Sequence, residues 1–518
     1  MHRKILRLFK RLAKVSWFAL LALLLYIIIS MSEVPPASFN MSNEPLEITR
    51  KEEHLLVEDR SHKSSYLSND LSLKDQADLR KIMKDANDEV YFNFKLWKNY
   101  RKEYCDGKIT INGRTLIRTK DISLNRDLIH ADADKLAFNS TFRQDDASEY
   151  YKFDYGAFRI SCSRVLPYLT NIYRPDMVAH FGEWYRSIVS YSKWFNWSSK
   201  GTELDENVYA VVRYEYANVY WVIGDMYNVF LHCIFNGHNP SEVTVLLLEA
   251  HLKSPLDDLW KVVFGKVIRP NDLPRITYFK DLTWTISRSY SPYSTGDPFY
   301  NLIPFLGPFR KFILKRFYLY DNLAPGGCMS LRVTFVWRHN YVAHPRNPTG
   351  IVSRKFANEE ELLNVTRTTF PNWKVEGHQL DALSINKQME ILSQTDVLVG
   401  MHGAALAYSF LIQNGGGVIE LFPKGSKFNF HMRTIAASSG LIYKYWVNDD
   451  DKLENTLQKT TRVPPSVVTD FLTDVAEKVC KKRKKKRLKP FGKDGPKVKP
   501  KKQKNKRPKI DTKVVREI

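Results

Sequence analysis

Residues 395–423 read TDVLVGMHGAALAYSFLIQNGGGVIELFP. DVLVG (396–400) has the length and branching of a buried strand. AALAYSFLI (404–412) reads as a helix, and GVIELF (417–422) as a second buried strand. Strands that are apolar throughout and separated by a helix imply a parallel sheet covered on both faces. Between the first strand and the helix stands Gly400-Met401-His402-Gly403. A tight turn explains the glycines but not the histidine. In open parallel sheets, ligands sit beyond the carboxyl ends of the strands. There Gly400 and Gly403 let backbone approach a ligand, and the helix opening at Ala404 turns N–H groups and a positive dipole outward. The expectation is an anion site, best matched by a diphosphate. His402 is then a catalytic candidate that hydrogen-bonds a phosphate or sugar hydroxyl, or protonates a leaving oxygen. Its alternative is a histidine satisfied by backbone in a turn. Glu420, one strand later, is placed to accept hydrogen bonds from ribose hydroxyls.

Working outward, LRVTFVW (331–337) reads as a strand, NEEELLNV (358–365) as a helix, WKVEG (373–377) as a strand and INKQMEILSQT (385–395) as a helix. After the central stretch, FNFHMRTIAASSG (428–440) reads as a helix and LIYKYWV (441–447) as a strand. Arg338 follows the first of these strands, with Arg346 and Arg354 in the loop beyond. Arginine suits bidentate phosphate contacts, against the alternative of solvated loop residues. An earlier alternation has the strands VYAVVRY (208–214) and EVTVLLLE (242–249). Its helices are ANVYWVIGDMYNVFLHCIF (217–235) and SPLDDLWKVVF (254–264), the latter with Ser254 as N-cap. Two such blocks imply an α/β protein of two Rossmann-like domains facing a cleft, at residues 71–325 and 326–460. An amphipathic helix is expected from about Ser72 to Tyr104, and residues 105–200 are aromatic-rich without a clear pattern.

The chain has 518 residues and a net charge of +23. Residues 3–14 carry six Lys or Arg and no acid, and residues 481–518 carry a net +16, so the two ends account for +22. The body is near neutral, which argues against a nucleic-acid binder. Val15–Met31 is free of charge for 17 residues, enough for roughly 25 Å of helix. With basic residues before it, the run reads as a signal anchor that leaves residues 1–14 cytosolic and the rest lumenal, in a Golgi or ER membrane. A cleaved signal peptide is the alternative. Residues 32–70 read as a polar stem and 481–518 as a basic disordered tail. Acceptor sequons for N-glycosylation stand at Asn40, Asn139, Asn196 and Asn364. Five cysteines without a C-x-x-C pair argue against zinc, and Cys105 with Cys162 is the disulfide favoured here. Asp132-Ala-Asp134 matches a metal-binding D-x-D by three residues only.

Taken together, residues 331–446 resemble glycosyltransferase family 61. The ordered elements are Arg338, then Arg354 with Asn358 and Glu359, then Thr395-Asp396 with Gly400-Met401-His402-Gly403-Ala404-Ala405-Leu406, then Glu420. YVAHPR (341–346) followed by SRKFANEEE (353–361) most resembles the plant β-1,2-xylosyltransferase pattern. Ala405 stands where the family has Gly, and Ala407-Tyr408 where it has Thr-His. The resemblance implies a GT-B-like fold and metal-independent, inverting transfer. The donor is a UDP-sugar held by Arg338, Arg354, Asn358, Gly400, Gly403, Ala404 and Glu420. The sugar is xylose or N-acetylglucosamine and the acceptor a glycoprotein, with no separate cofactor. A base is expected from across the cleft, with Glu215 or Asp225 as candidates. A protein O-linked N-acetylglucosaminyltransferase and a non-catalytic lumenal lectin or scaffold are the rival readings.

Overall fold

The structure is a computed structural model. It describes residues 101–112, 116–131, 150–163, 183–191, 201–213, 215–251, 253–285, 291–293, 303–319, 327–342, 347, 349–426 and 431–487. The apolar run at 15–31, the stem, Asp132–Asp134, Asn40, Asn139, Asn196 and Arg346 lie outside them. Among the described residues no helix is long and apolar enough to cross a membrane.

The C-terminal half is built on a five-stranded, wholly parallel sheet. To keep chain order, the strands of the first half are numbered before it: β1 (Arg101–Tyr104), β2 (Ile109–Asn112), β3 (Leu116–Asn125), β4 (Phe158–Ser161), β5 (Ile188–Tyr191), β6 (Thr202–Val211), β7 (Thr244–Leu247), β8 (Lys266–Ile268) and β9 (Ile276–Thr285). The second sheet then comprises β10 (Arg332–Val336), β11 (Lys374–His378), β12 (Val397–Met401), β13 (Gly417–Phe422) and β14 (Ile442–Val447). Its spatial order is β11-β10-β12-β13-β14. Chain order reverses between β10 and β12, which makes their carboxyl ends the switch point where ligands bind in doubly wound sheets. Every residue of β12 and β13 is buried, as their uninterrupted apolar pattern requires.

The first sheet departs from the expected parallel form. Its main path runs β1-β2-β3-β9-β6-β7-β8. The segment β9-β6-β7-β8 is parallel, whereas β1, β2 and β3 join it as an antiparallel meander. The helix expected to reach Tyr104 does not: Arg101–Tyr104 pairs with Ile109–Asn112 across a turn whose Cys105, Asp106 and Gly107 all have positive φ. The Cys105–Cys162 disulfide, with 4.8 Å between Cα atoms, fastens that turn to the end of β4.

The α-helices of eight residues or more are α1 (Val219–Asn236), α2 (Asp257–Phe264), α3 (Leu306–Arg316), α4 (Glu359–Thr369), α5 (Ile385–Gln394), α6 (His431–Ser438) and α7 (Pro465–Arg487). Helix α2 starts two residues later than an N-cap at Ser254 predicts. Ser254 Oγ instead donates to the Tyr216 carbonyl (3.1 Å) and accepts from Leu256 N–H (3.1 Å). AALAYSFL (404–411) is a 3₁₀ helix. Helix α7 was not expected, and it overturns the reading of residues 481–487 as disordered tail. Arg483 pairs with the buried Asp396 at 2.7 Å, Lys482 reaches the Gly440 carbonyl, and Cys480 is bonded to Cys328. The basic run thus begins as a helix end in which Lys482 and Arg483 have partners.

All described residues lie in one compact unit. One continuous core joins the two sheets. It takes α1 and α3 from the first half and the 3₁₀ helix with Met432 and Ile435 from the second. Phe309 stacks on Phe410 across it, ring centroids 5.6 Å apart. The outer face of the second sheet is covered by α4 and α7 through Leu362, Val468, Leu472 and Val475.

Candidate active site

Arg338 stands two residues past β10 and His402 one past β12, so the switch point brings them together as the sequence predicts. Gly403 lies directly under the Arg338 guanidinium. A Cβ there would lie 2.2 Å from Arg338 Nη1, so the guanidinium rests over the start of the 3₁₀ helix. That helix start leaves N–H groups without an intrahelical partner. Arg354 joins from the loop. Its φ of 62° places a non-glycine residue in the left-handed region, a strain that concentrates at functional sites. Burial, then the neighbouring Arg338, push its guanidinium down to about 10, with Glu420 pulling the other way. Burial also lowers Arg338, which Tyr341 and Asp381 partly counter. Arg338 Nε donates to the Ser353 carbonyl at 3.2 Å. Neither guanidinium has a carboxylate within salt-bridge distance among the described residues. Two half-buried cations that repel one another, at a switch point, are placed to bind an anion of at least two charges.

Beside them, His402 Nδ1 meets Glu420 Oε1 at 2.5 Å, and Tyr443 OH donates to Glu420 Oε2 at 2.5 Å. Glu420 is fully buried and His402 stacks on Phe422. The carboxylate is therefore engaged on both oxygens. It fixes the imidazole tautomer and orientation, as carboxylates behind functional histidines do. Burial and the Glu420 charge push the Tyr443 phenol up, which keeps it a donor.

A cavity of about 790 Å³ opens between the two sheets. Its walls come from the loops after β6, β7, β10, β11 and β12, all carboxyl ends of parallel strands. The second half contributes Arg338, Tyr341, Arg354, Asp381, Ala404 and Tyr408. From the first half come Asn218, Ser254 and Asp258, of which Asn218 and Ser254 spend their side chains capping local N–H groups. Asp258 is the ionisable wall residue on that side among those described, and it is exposed beside Lys261. Nothing in the sequence singles it out, because acids are common in a helix first turn. The segment bearing Asp258 rests on a buried ionic network. Arg213, fully buried, bonds Glu249 at 2.8 Å and Asp257 at 2.7 Å, and Arg269 reaches Asp257 at 3.0 Å. Burial pushes the Asp257 carboxyl up, the Arg213 charge outweighs it, and the net lies below the ordinary carboxylate value.

The remaining expected site residues fall as follows. Ala404 lines the cavity. Gly400 lies inside β12, where a Cβ would meet Leu406 Cδ2 at 3.0 Å; its smallness serves packing. Asn358 is buried and ties α4 to the segment before α7, exchanging bonds with Val463 at 2.9 and 3.0 Å. His402 and Glu420 lie beside Arg354 rather than in the cavity wall. Glu215 is buried, accepting from Ala217 N–H at 3.3 Å, and Asp225 lies in the second turn of α1; neither lines the cavity. Asn364 is exposed on α4. No cluster of three or more His, Cys, Asp or Glu placed to hold a metal occurs among the described residues.

Residues 230–419 match the family model described as Glycosyltransferase 61. The chain carries a glycosyltransferase 61 domain. Its matched span runs from within α1 to the residue before Glu420, so it contains the switch point and, of the first sheet, β7, β8 and β9. Among known relatives, the chain is 25% identical over 228 residues to the β-1,2-xylosyltransferase RCN11 of Oryza sativa subsp. japonica, covering 40% of this chain and 42% of that protein. It is 22% identical over 312 residues to the β-1,2-xylosyltransferase of Arabidopsis thaliana, covering 51% and 56%. It is also 32% identical over 110 residues to protein O-linked-mannose β-1,4-N-acetylglucosaminyltransferase 2 of Xenopus laevis, covering 20% and 18%. The chain thus spans about half the length of the first two relatives. Among solved structures, rubredoxin oxygen:oxidoreductase of Desulfovibrio gigas matches at 10% identity over 45% of this chain and 49% of that one. Its TM-score of 0.22 carries no argument.

Proposed function

We propose that this chain is an inverting glycosyltransferase of GT-B-like arrangement that takes a UDP-sugar and extends a glycoprotein glycan. The observation that carries the reading is the pair Arg338 and Arg354, close enough at the switch point to repel one another, with no carboxylate among the described residues in salt-bridge distance of either. A diphosphate supplies the missing negative charge. In the reaction, an acceptor hydroxyl oxygen forms a bond to the anomeric carbon as the bond from that carbon to the diphosphate breaks. The leaving group gains charge, which the two guanidinium groups and the N–H groups at Ala404 stabilise without a metal. A base takes the hydroxyl proton. Asp258 faces the cavity from the acceptor side and fits that role better than Glu215 or Asp225. His402, held by Glu420, braces the leaving-group side next to Arg354.

Xylose is the favoured sugar and an N-glycan the favoured acceptor. The names of the two plant relatives support the sugar, and the acceptor rests on the YVAHPR resemblance. N-acetylglucosamine transfer to a protein-linked glycan is the second reading, favoured by the 32% identity to the Xenopus protein. Two disulfides support a body that folds in an oxidising lumen behind the apolar run at 15–31.

Melting the protein with a panel of nucleotides tests the donor site. UDP raises the melting temperature of the wild type and raises Arg338→Ala much less; equal shifts in both refute the assignment. Incubation with UDP-xylose and UDP-N-acetylglucosamine, each with N-glycan and glycopeptide acceptors, then identifies the sugar.

A further inference from the structure

Glu420 was expected to read the ribose, but it is sealed behind His402 and Tyr443, with both oxygens engaged. Another carboxylate faces the cavity from the same half. Asp381 lies three residues past β11, the strand that flanks β10, whose end carries Arg338. It lines the cavity together with Arg338, Tyr341 and Arg354. Its charge acts on both Arg338 and Tyr341, so the three groups face a common space. Gln379 Nε2 donates to Asp381 Oδ2 at 2.9 Å and orients the carboxylate. Oδ1 has no hydrogen-bond partner among the described residues. A carboxylate this close to a diphosphate is repelled unless it accepts hydrogen bonds from the ligand. Vicinal hydroxyls one sugar ring away from the phosphates supply such donors, and in dinucleotide-binding sheets an acidic residue near the switch point takes that role.

We infer that Asp381 is the ribose-recognising carboxylate of the nucleotide site, a role that rests on the donor reading above. It makes the site selective for ribonucleoside diphosphates over their deoxy counterparts and over bare pyrophosphate.

The test is calorimetric titration of the full chain, as wild type, Asp381→Asn and Asp381→Ser, with UDP, 2′,3′-dideoxy-UDP and inorganic pyrophosphate. Wild type should bind UDP about ten-fold or more tightly than the dideoxy compound, and both variants should lose that discrimination. Pyrophosphate, which has no ribose to offer, should bind both variants at least as tightly as the wild type. Variants that keep wild-type discrimination overturn the ribose assignment alone, as does a loss of pyrophosphate binding equal to the loss for UDP. A wild type that binds neither UDP nor pyrophosphate overturns the donor reading and this inference with it. Asp381 is exposed, so neither substitution removes core packing, and circular dichroism confirms that the variants fold.

Discussion

Replacing Arg354 by methionine should separate stability from binding. The guanidinium sits at about 10 instead of 12.5, because burial and Arg338 disfavour its charge. A drop of that size corresponds to about 3 kcal/mol of unfavourable electrostatics in the free protein at neutral pH. Methionine keeps the length of the stem and the left-handed backbone, so packing and strain are nearly unchanged while the repulsion vanishes. Arg354→Met should therefore be as stable as the wild type or more so in chemical denaturation without ligand. Its affinity for UDP should fall at least ten-fold, since a hydrogen bond to a charged partner contributes roughly 1.5–3 kcal/mol. The sign of the pH effect follows. A cation whose folded value is depressed destabilises the fold fully below that value, and the penalty fades as pH rises through about 10. The stability difference between variant and wild type should accordingly shrink above pH 10. A variant that is several kcal/mol less stable at pH 7 and binds UDP as the wild type does would refute the claim that the two arginines form an anion site.

Two further outcomes are expected. Asp257→Asn, which breaks the buried network with Arg213, should cost about 3–5 kcal/mol at pH 7. Because the Asp257 carboxyl lies below its ordinary value, its contribution is complete above about pH 4 and lost as pH falls lower. The gap between variant and wild type in urea titrations should therefore narrow only in acid. Asp258→Asn should lower kcat on a glycan acceptor by about a hundred-fold or more with little change in UDP affinity; if Glu215→Gln has that effect and Asp258→Asn does not, the base lies elsewhere.

Much of the second half was legible in the sequence because its strands are buried on both faces. DVLVG and GVIELF admit no other reading once a helix separates them, and Arg338 and His402 follow at strand ends by counting. The first half was less legible. Its meander pairs strands such as Arg101–Tyr104 whose side chains are mostly exposed, so no apolar pattern marks them. Glu420 shows the limit at the site. A carboxylate at a strand end looks the same in sequence whether it faces a ligand or a histidine, and only the register with β12 and the position of Tyr443 decide. Asp258 and Asp381 were hidden for the same reason: one lay in a helix first turn where acids are common, the other in a loop outside any motif. Helix α7 was obscured by its own lysines, because composition reports charge and not partners.

The core shared by the two sheets bears on how the proposed transfer can proceed. Hinged opening of the halves would bring Phe309, Leu406, Phe410, Leu411, Met432 and Ile435 into water, at about 1.5–3 kcal/mol for each side chain. The sum rivals the net stability of a whole domain. Under the proposed function, nucleotide and acceptor come and go past the rim while the two walls keep their spacing. Such a chamber forgoes induced closure, and a ligand too large for the gap is refused by shape before any chemistry begins.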